Sequence, residues 1–272
     1  MIPRPPRGFR RPILCAFEAG LSVELKLEGK RAIVTGASRG IGMAIAEALA
    51  AEGVDLVLAA RGVEALEATA SRIARASGRN VIPIAADTGD DASVAALARD
   101  AATALGGVDI LINNAAAVGG GGGSFPNMSS ERLMNDLNVK VAGYLRVSQA
   151  VAPQMLANGW GRIINIGGFA ARRTYNTVAS MRNAAISAFA ANLADELGPK
   201  GVTVNTVHPG YTATERSSAM LEQRAIETNN IGRVVHAREL AAFVVMLASP
   251  LSAAINGESI LCGGGLRGAI SY

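Results

Sequence analysis

The chain is poor in aromatic side chains and cysteine, and it lacks long apolar runs. Aromatics make up 4% of the 272 residues, with a single tryptophan. A core without many large rings must be filled by close packing of small and branched side chains. Hydrophobic residues, at 50%, are numerous enough for that. The two cysteines, Cys15 and Cys262, stand far apart, and only two histidines occur. No disulfide framework or ligand-spaced cluster results, so no metal is expected and a reducing, cytoplasmic setting is the default. No stretch approaches the ~20 apolar residues that cross a bilayer, so no membrane contact is expected either.

Net basic charge is scarce outside the first residues. The formal net charge is +4, and residues 1–22 hold Arg4, Arg7, Arg10 and Arg11 against Glu18. The rest of the chain is close to neutral, which argues against nucleic acid as a partner. Residues 1–22 combine Pro and Arg with one apolar patch, Ile13–Phe17, too short for a secretory core. They read as a disordered basic extension or an overcalled start; a targeting or oligomer-contacting arm is the alternative. Residues 23–272 read as one domain, since no linker divides them.

Within that domain, apolar strand-like runs alternate with helical stretches. Strands are expected at 31–35, 54–60, 81–85, 108–112, 163–166, 202–207 and 259–262. Helices are expected at 43–52, 63–76, 93–105, 130–158, 184–197 and 237–248. Continuously apolar strands separated by helices predict an α/β fold: a parallel sheet with helices on both faces.

The first strand runs into Thr35-Gly36-Ala37-Ser38-Arg39-Gly40-Ile41-Gly42. Glycines at this strand–helix junction let the backbone turn tightly and approach a pyrophosphate at the helix N-terminus. The second strand ends in Ala60-Arg61, where an NAD site usually carries an acid. Arg61, with Arg39 in the loop, can fork onto a 2′-phosphate, so NADP(H) is favoured over NAD(H). A solvated surface charge is the alternative for Arg61.

These motifs resemble the short-chain dehydrogenase/reductase family over nearly all of residues 25–268. The resemblance implies a single-domain, Rossmann-type, doubly wound sheet. It carries over to the T-G-x-x-x-G-x-G loop and to Asp87, implied to touch adenine. It also covers Asn113-Asn114-Ala115-Ala116 after the fourth strand, and Asn138 as the helix asparagine of the family's catalytic set. Pro209-Gly210-Tyr211-Thr212-Ala213-Thr214 matches the segment that closes over the nicotinamide. A cofactor-binding set follows: Gly36, Ser38, Arg39, Gly40, Ile41, Gly42, Arg61, Asp87, Asn113, Ala115, Asn183, Pro209, Gly210, Thr212 and Thr214. The family also implies a small-molecule substrate and a dimer or homotetramer built through helices 130–158 and 184–197.

The family's Ser and Tyr-x-x-x-Lys have no counterparts in this chain. Their places fall on Gly168, Ala179 and Asn183, and no lysine occurs between Lys140 and Lys200. Residues four apart on a helix share one face, and the family lysine there lowers the tyrosine pKa. Tyr175, Arg182 and Asn183 are the candidate substitutes, with Asn138 as the remaining member of the catalytic set. Gly119–Gly123 reads as a lid or a plain long loop, and His208 as a structural histidine. The expected activity is NADP(H)-dependent hydride transfer on a small carbonyl or alcohol with a non-standard site. The alternatives are a cofactor-binding pseudoenzyme, acting as partner subunit or sensor, and a lyase or isomerase reusing the pocket.

Overall fold

A computed structural model describes residues 23–116, 128–174, 176–215 and 217–267. Residues 1–22, the five-glycine run and Tyr175 therefore lie outside the described residues.

The apolar runs become seven parallel strands: β1 (Arg31–Thr35), β2 (Asp55–Ala60), β3 (Val81–Ala85), β4 (Ile110–Asn113), β5 (Gly161–Ile166) and β6 (Val202–Pro209) form all but the last. A two-stranded ribbon, β7 (Thr212–Ala213) with β8 (Val235–His236), lies outside the sheet, and β9 (Ser259–Cys262) completes it. The order is β3-β2-β1-β4-β5-β6-β9, with every pairing parallel. The expected α/β sheet is present.

Residue alternation along each strand divides the interior into two cores. Ala32, Val34, Leu56, Leu58, Ile110 and Ile112 pack on one face. They meet α1 (Gly40–Ala51), α2 (Val63–Ser77) and α8 (Ala237–Ala248). Ile33, Val57, Leu111, Ile163 and Val204 point to the other face. There they meet α3 (Asp91–Leu105), α5 (Gly143–Ala157) and α6 (Thr177–Leu197). Burial on both faces explains why the strands lack a polar alternation. The doubly wound reading is thereby met.

Helix ends follow local chemistry. Asp90 accepts the Ser93 N–H at 2.7 Å to start α3, and Gly106 ends it at φ 73°. Asn176 accepts the Ala179 N–H at 3.0 Å, so α6 starts at Thr177, seven residues before the expected 184. The helix expected over 130–158 is interrupted. Following α4 (Ser130–Leu137), a π turn occupies Asn138–Ala142 before α5 resumes. A π turn adds a residue to the turn and shifts every later side chain around the axis. A short helix, α7 (Ala219–Thr228), was absent from the sequence reading.

Strand order reverses direction of growth between β1 and β4, leaving a crevice at their C-terminal ends, where α/β sheets bind ligands.

Candidate active site

Two cavities open at that crevice and share Ile41, Asn114 and Ala116 as walls. The larger, about 420 Å³, is lined by the glycine loop, the end of β2 and Ala86-Asp87-Thr88. The smaller, about 290 Å³, lies between Gly167-Gly168, the first turns of α6 and Pro209-Gly210.

The glycine loop is locked to β4 by side-chain hydrogen bonds. The Asn114 and Ala115 N–H groups donate to Thr35 Oγ1 at 2.9 and 3.1 Å. Asn114 Nδ2 donates to the Thr35 and Gly36 carbonyls at 3.0 and 3.1 Å. A Cβ at Gly42 would collide with the Gly36 carbonyl and the Asn114 amide, so this glycine permits the close approach. Gly40 takes φ 61°, conformational space that glycine occupies readily.

This geometry fits a dinucleotide. The N-cap residue of α1, Arg39, makes no side-chain cap, and Glu215 Oε2 accepts the Gly40 N–H at 3.2 Å. A phosphate there would meet the other first-turn N–H groups and compete with that carboxylate. Arg39 and Arg61 both line the larger cavity, and no carboxylate follows the Ala60 end of β2. Asp87 lines the same cavity, its Oδ1 accepting the Gly89 N–H at 2.9 Å.

Of the expected cofactor set, Gly36, Ser38, Arg39, Gly40, Ile41, Arg61, Asp87, Ala115 and Thr214 line the larger cavity. Asn183, Pro209 and Gly210 line the smaller one. Three others lie elsewhere. Gly42 is a packing residue beneath the loop. Asn113 is fully buried, donating from Nδ2 to Ser148 Oγ at 3.1 Å and Asn165 Oδ1 at 3.0 Å. Thr212 donates to the Gly210 carbonyl at 3.1 Å and so shapes the closing segment from behind.

Gly168, Ala179, Arg182 and Asn183 do converge on the smaller cavity. Arg182 Nη1 reaches both Asp136 oxygens at 2.7 Å. Asn138 lines neither cavity. Its Nδ2 donates to the Gly89 carbonyl at 3.1 Å, and its Oδ1 accepts from Arg146 Nη2 at 2.8 Å. The geometry thus gives Asn138 a bracing place between the chain near Gly89 and α5, on a different side of the π turn from the cavity.

The residue that sequence reasoning missed is Lys140, two positions further on. It is 4% exposed and lines the smaller cavity. Its Nζ donates to the Gly167 carbonyl at 2.9 Å and to Asn183 Oδ1 at 3.4 Å. Burial, reinforced by the nearby Arg182 charge and opposed by Asp136, pulls its pKa down to about 7. The only signal in the sequence is a lone lysine in a helix whose phase the π turn alters.

His208 lies behind the cavity floor. The Gly168 N–H donates to its Nδ1 at 3.0 Å, which leaves Nε2 protonated toward Ser187 Oγ at 2.9 Å. Burial first, then the charges of Lys140 and Arg172, lower its pKa to about 4. It is a satisfied, neutral, structural histidine.

A model of the family described as Enoyl-(Acyl carrier protein) reductase matches residues 36–267. The 3-oxoacyl-(acyl-carrier-protein) reductase FabG of Vibrio harveyi is 36% identical over 251 residues, covering 89% of this chain and 99% of its own. The short-chain reductase protein NovJ of Streptomyces niveus is 36% identical over 247 residues, covering 86% and 92%. Among solved structures, L-sorbose reductase from Gluconobacter frateurii with NADPH and L-sorbose superposes with TM-score 0.86 at 29% identity, over 91% of this chain and 100% of the other. A short-chain dehydrogenase from Burkholderia cenocepacia with NADP gives TM-score 0.80 at 35% identity, over 88% and 98%. The chain belongs to the short-chain dehydrogenase/reductase family and is an oxidoreductase of that type.

Proposed function

We propose that this protein transfers hydride between NADP(H) and a small carbonyl or alcohol substrate through a site that lacks the usual Ser, Tyr and Lys. The observation that carries this reading is the pair of adjoining cavities with shared walls. One is lined by the glycine loop with Arg39 and Arg61; the other is smaller, with the buried polar Lys140 and Asn183 and with Pro209-Gly210 in its wall. Bound NADP(H) would supply or remove the hydride. Gly36, Ser38, Gly40, Ile41 and the α1 N-terminus would hold its phosphates, Asp87 and Ala115 its adenosine side, and Asn183 its ribose. Thr214 and Pro209-Gly210 would close the site.

NADP(H) is preferred over NAD(H) because a 2′-phosphate would meet two guanidiniums and no carboxylate after β2. Arg61→Ala should weaken NADPH binding about tenfold and leave NADH binding nearly unchanged, by calorimetry. Equal losses for both would exclude this role. Homo-oligomer assembly through α5 and α6 is part of the same reading, supported by exposed Leu145 and Met181. The wide cysteine spacing supports a cytoplasmic setting.

Gly168, Ala179 and Asn183 favour a second reading, a cofactor-binding partner subunit or sensor without turnover. The deciding experiment follows NADPH absorbance with ketones, enones, imines, quinones, sugars and 3-oxoacyl thioesters. Turnover on any of them supports hydride transfer. Tight NADPH binding with no turnover on the whole panel establishes the second reading.

A further inference from the structure

The smaller cavity needs a group that can exchange a proton, because hydride transfer to a carbonyl leaves an oxyanion that must be protonated. Its described walls are Gly, Ala, Ile, Phe, Pro and Asn residues, apart from Lys140 and Arg182. Arg182 is held by Asp136 at 2.7 Å, and a guanidinium does not release its proton in proteins. Gly168 and Ala179 carry no polar side-chain atom, and the Asn183 amide does not titrate. Outside the walls, the Tyr144 hydroxyl is buried, donates to the Ile166 carbonyl at 2.9 Å and is driven above the ordinary phenol range. His208 is neutral and has partners on both ring nitrogens.

We propose that Lys140 is the acid–base residue of this site, delivering a proton to the substrate oxygen in reduction and taking it back in oxidation. The proposal rests on the hydride-transfer reading above. Lys140 Nζ has a Gly167 carbonyl and the Asn183 Oδ1 as acceptors. An ammonium has three hydrogens, so one remains for a substrate oxygen. Gly168 and Ala179 line the same cavity as Lys140, so the oxygen would approach the amine from that cavity. The resemblance places an asparagine on the helix before β5 and a lysine on α6. Here the lysine comes from the first and Asn183 from the second, and the two touch.

The step balances simply. In reduction the substrate carbon gains hydride, the C=O π bond breaks, and the oxygen gains the Lys140 proton. The neutral amine then takes a proton from water. Four groups face the amine from the elements packed around it: Asp136 from α4, Tyr144 from α5, Arg182 from α6 and His208 from β6. The cation lowers the amine's affinity for a proton and Asp136 raises it. The balance with burial, near pH 7, makes both protonation states available at neutral pH.

The test has a readout that needs neither substrate nor cofactor. Lysine labelled with carbon-13 at Cε is followed by NMR across pH 5–11, with the Lys140 signal identified by its loss in Lys140→Met. A Lys140 midpoint several pH units below the other lysines is expected; a midpoint shared with them overturns the proposal. In the turnover assay, Lys140→Met and Lys140→Arg should each lose about 100-fold or more in kcat. NADPH affinity and melting temperature should remain near wild type, separating chemistry from folding. Wild-type turnover retained by both variants removes Lys140 while leaving hydride transfer standing. A wild-type protein inert toward the entire substrate panel removes the hydride-transfer reading itself, and this proposal with it. Loss of turnover in Tyr175→Phe with Lys140→Met unaffected would assign the proton to Tyr175 instead.

Discussion

Arg182 and Asp136 form a bidentate ion pair between α6 and α4, with both oxygens 2.7 Å from one guanidinium nitrogen. The Asp136 side chain is 4% exposed and that of Arg182 15%, so water screens the pair poorly. Removing one partner leaves an uncompensated charge in the wall of the smaller cavity. Asp136→Asn should cost about 3 kcal/mol of stability, measured as a shift of the denaturant midpoint. It should also lower the Lys140 titration midpoint, because Asp136 is the carboxylate that favours the charged amine. A cost below about 1 kcal/mol would mean that the pair behaves as a screened surface contact.

The buried His208 makes stability depend on pH. Its folded pKa, about 4, lies below the ordinary value of 6.5. Above pH 6.5 the imidazole is neutral in both folded and unfolded chains and contributes no pH dependence. As pH falls below 6.5 the unfolded chain binds a proton that the folded chain refuses, so stability is lost until about pH 4. The contribution is on the order of 3 kcal/mol over that window. In urea titrations at several pH values, His208→Gln should show a shallower decline than wild type between pH 6.5 and 4. Parallel declines would place the histidine's proton elsewhere.

The fold was legible because its determinants are local and repetitive. Ala32-Ile33-Val34 is apolar at every position since both faces of the sheet are covered, and the glycines of residues 36–42 sit at a strand–helix junction. The cavity floor was less legible. Lys140 lies 43 residues before Asn183 in sequence, and its phase depends on the π turn at Asn138–Ala142. The family resemblance selected Asn138, whose side chain is spent on Gly89 and Arg146. The lysine beside residue 183 is supplied by a neighbouring helix, far from it in sequence. The α7 helix escaped notice for a different reason: it is short, and Ala225 is its one buried residue.

Glu215 occupies the cofactor's expected place in a limited sense. Its Oε2 accepts the Gly40 N–H at 3.2 Å, putting a carboxylate on the N-terminal end of α1. A phosphate arriving there must displace it, since both use the same donor. Glu215→Ala should therefore tighten NADPH binding by about two- to fivefold, measured by calorimetry at low ionic strength. Weaker binding in that variant would show that Glu215 organises the loop rather than competing for it.

Rebuilding the family's usual site is a stricter test of how the residues at 140, 168, 179 and 183 depend on one another. A Cβ at Gly168 would lie 2.8 Å from Asn183 Nδ2, so a serine there requires residue 183 to change or move. Asn183→Lys relieves that contact but brings a second ammonium toward Lys140, whose Nζ is already 3.4 Å from the Asn183 side chain. Two unit charges about 4 Å apart repel by about 4 kcal/mol at an effective dielectric near 20. The triple variant Gly168→Ser, Ala179→Tyr, Asn183→Lys should consequently melt below wild type and gain little ketone reduction. Adding Lys140→Asn removes the repulsion and returns a neutral amide to the helix before β5. The quadruple variant should recover the melting temperature and reduce ketones about 100-fold faster than the triple, followed by NADPH absorbance. A triple variant equal to the quadruple in both measurements would show that residues 140 and 183 do not share one electrostatic environment.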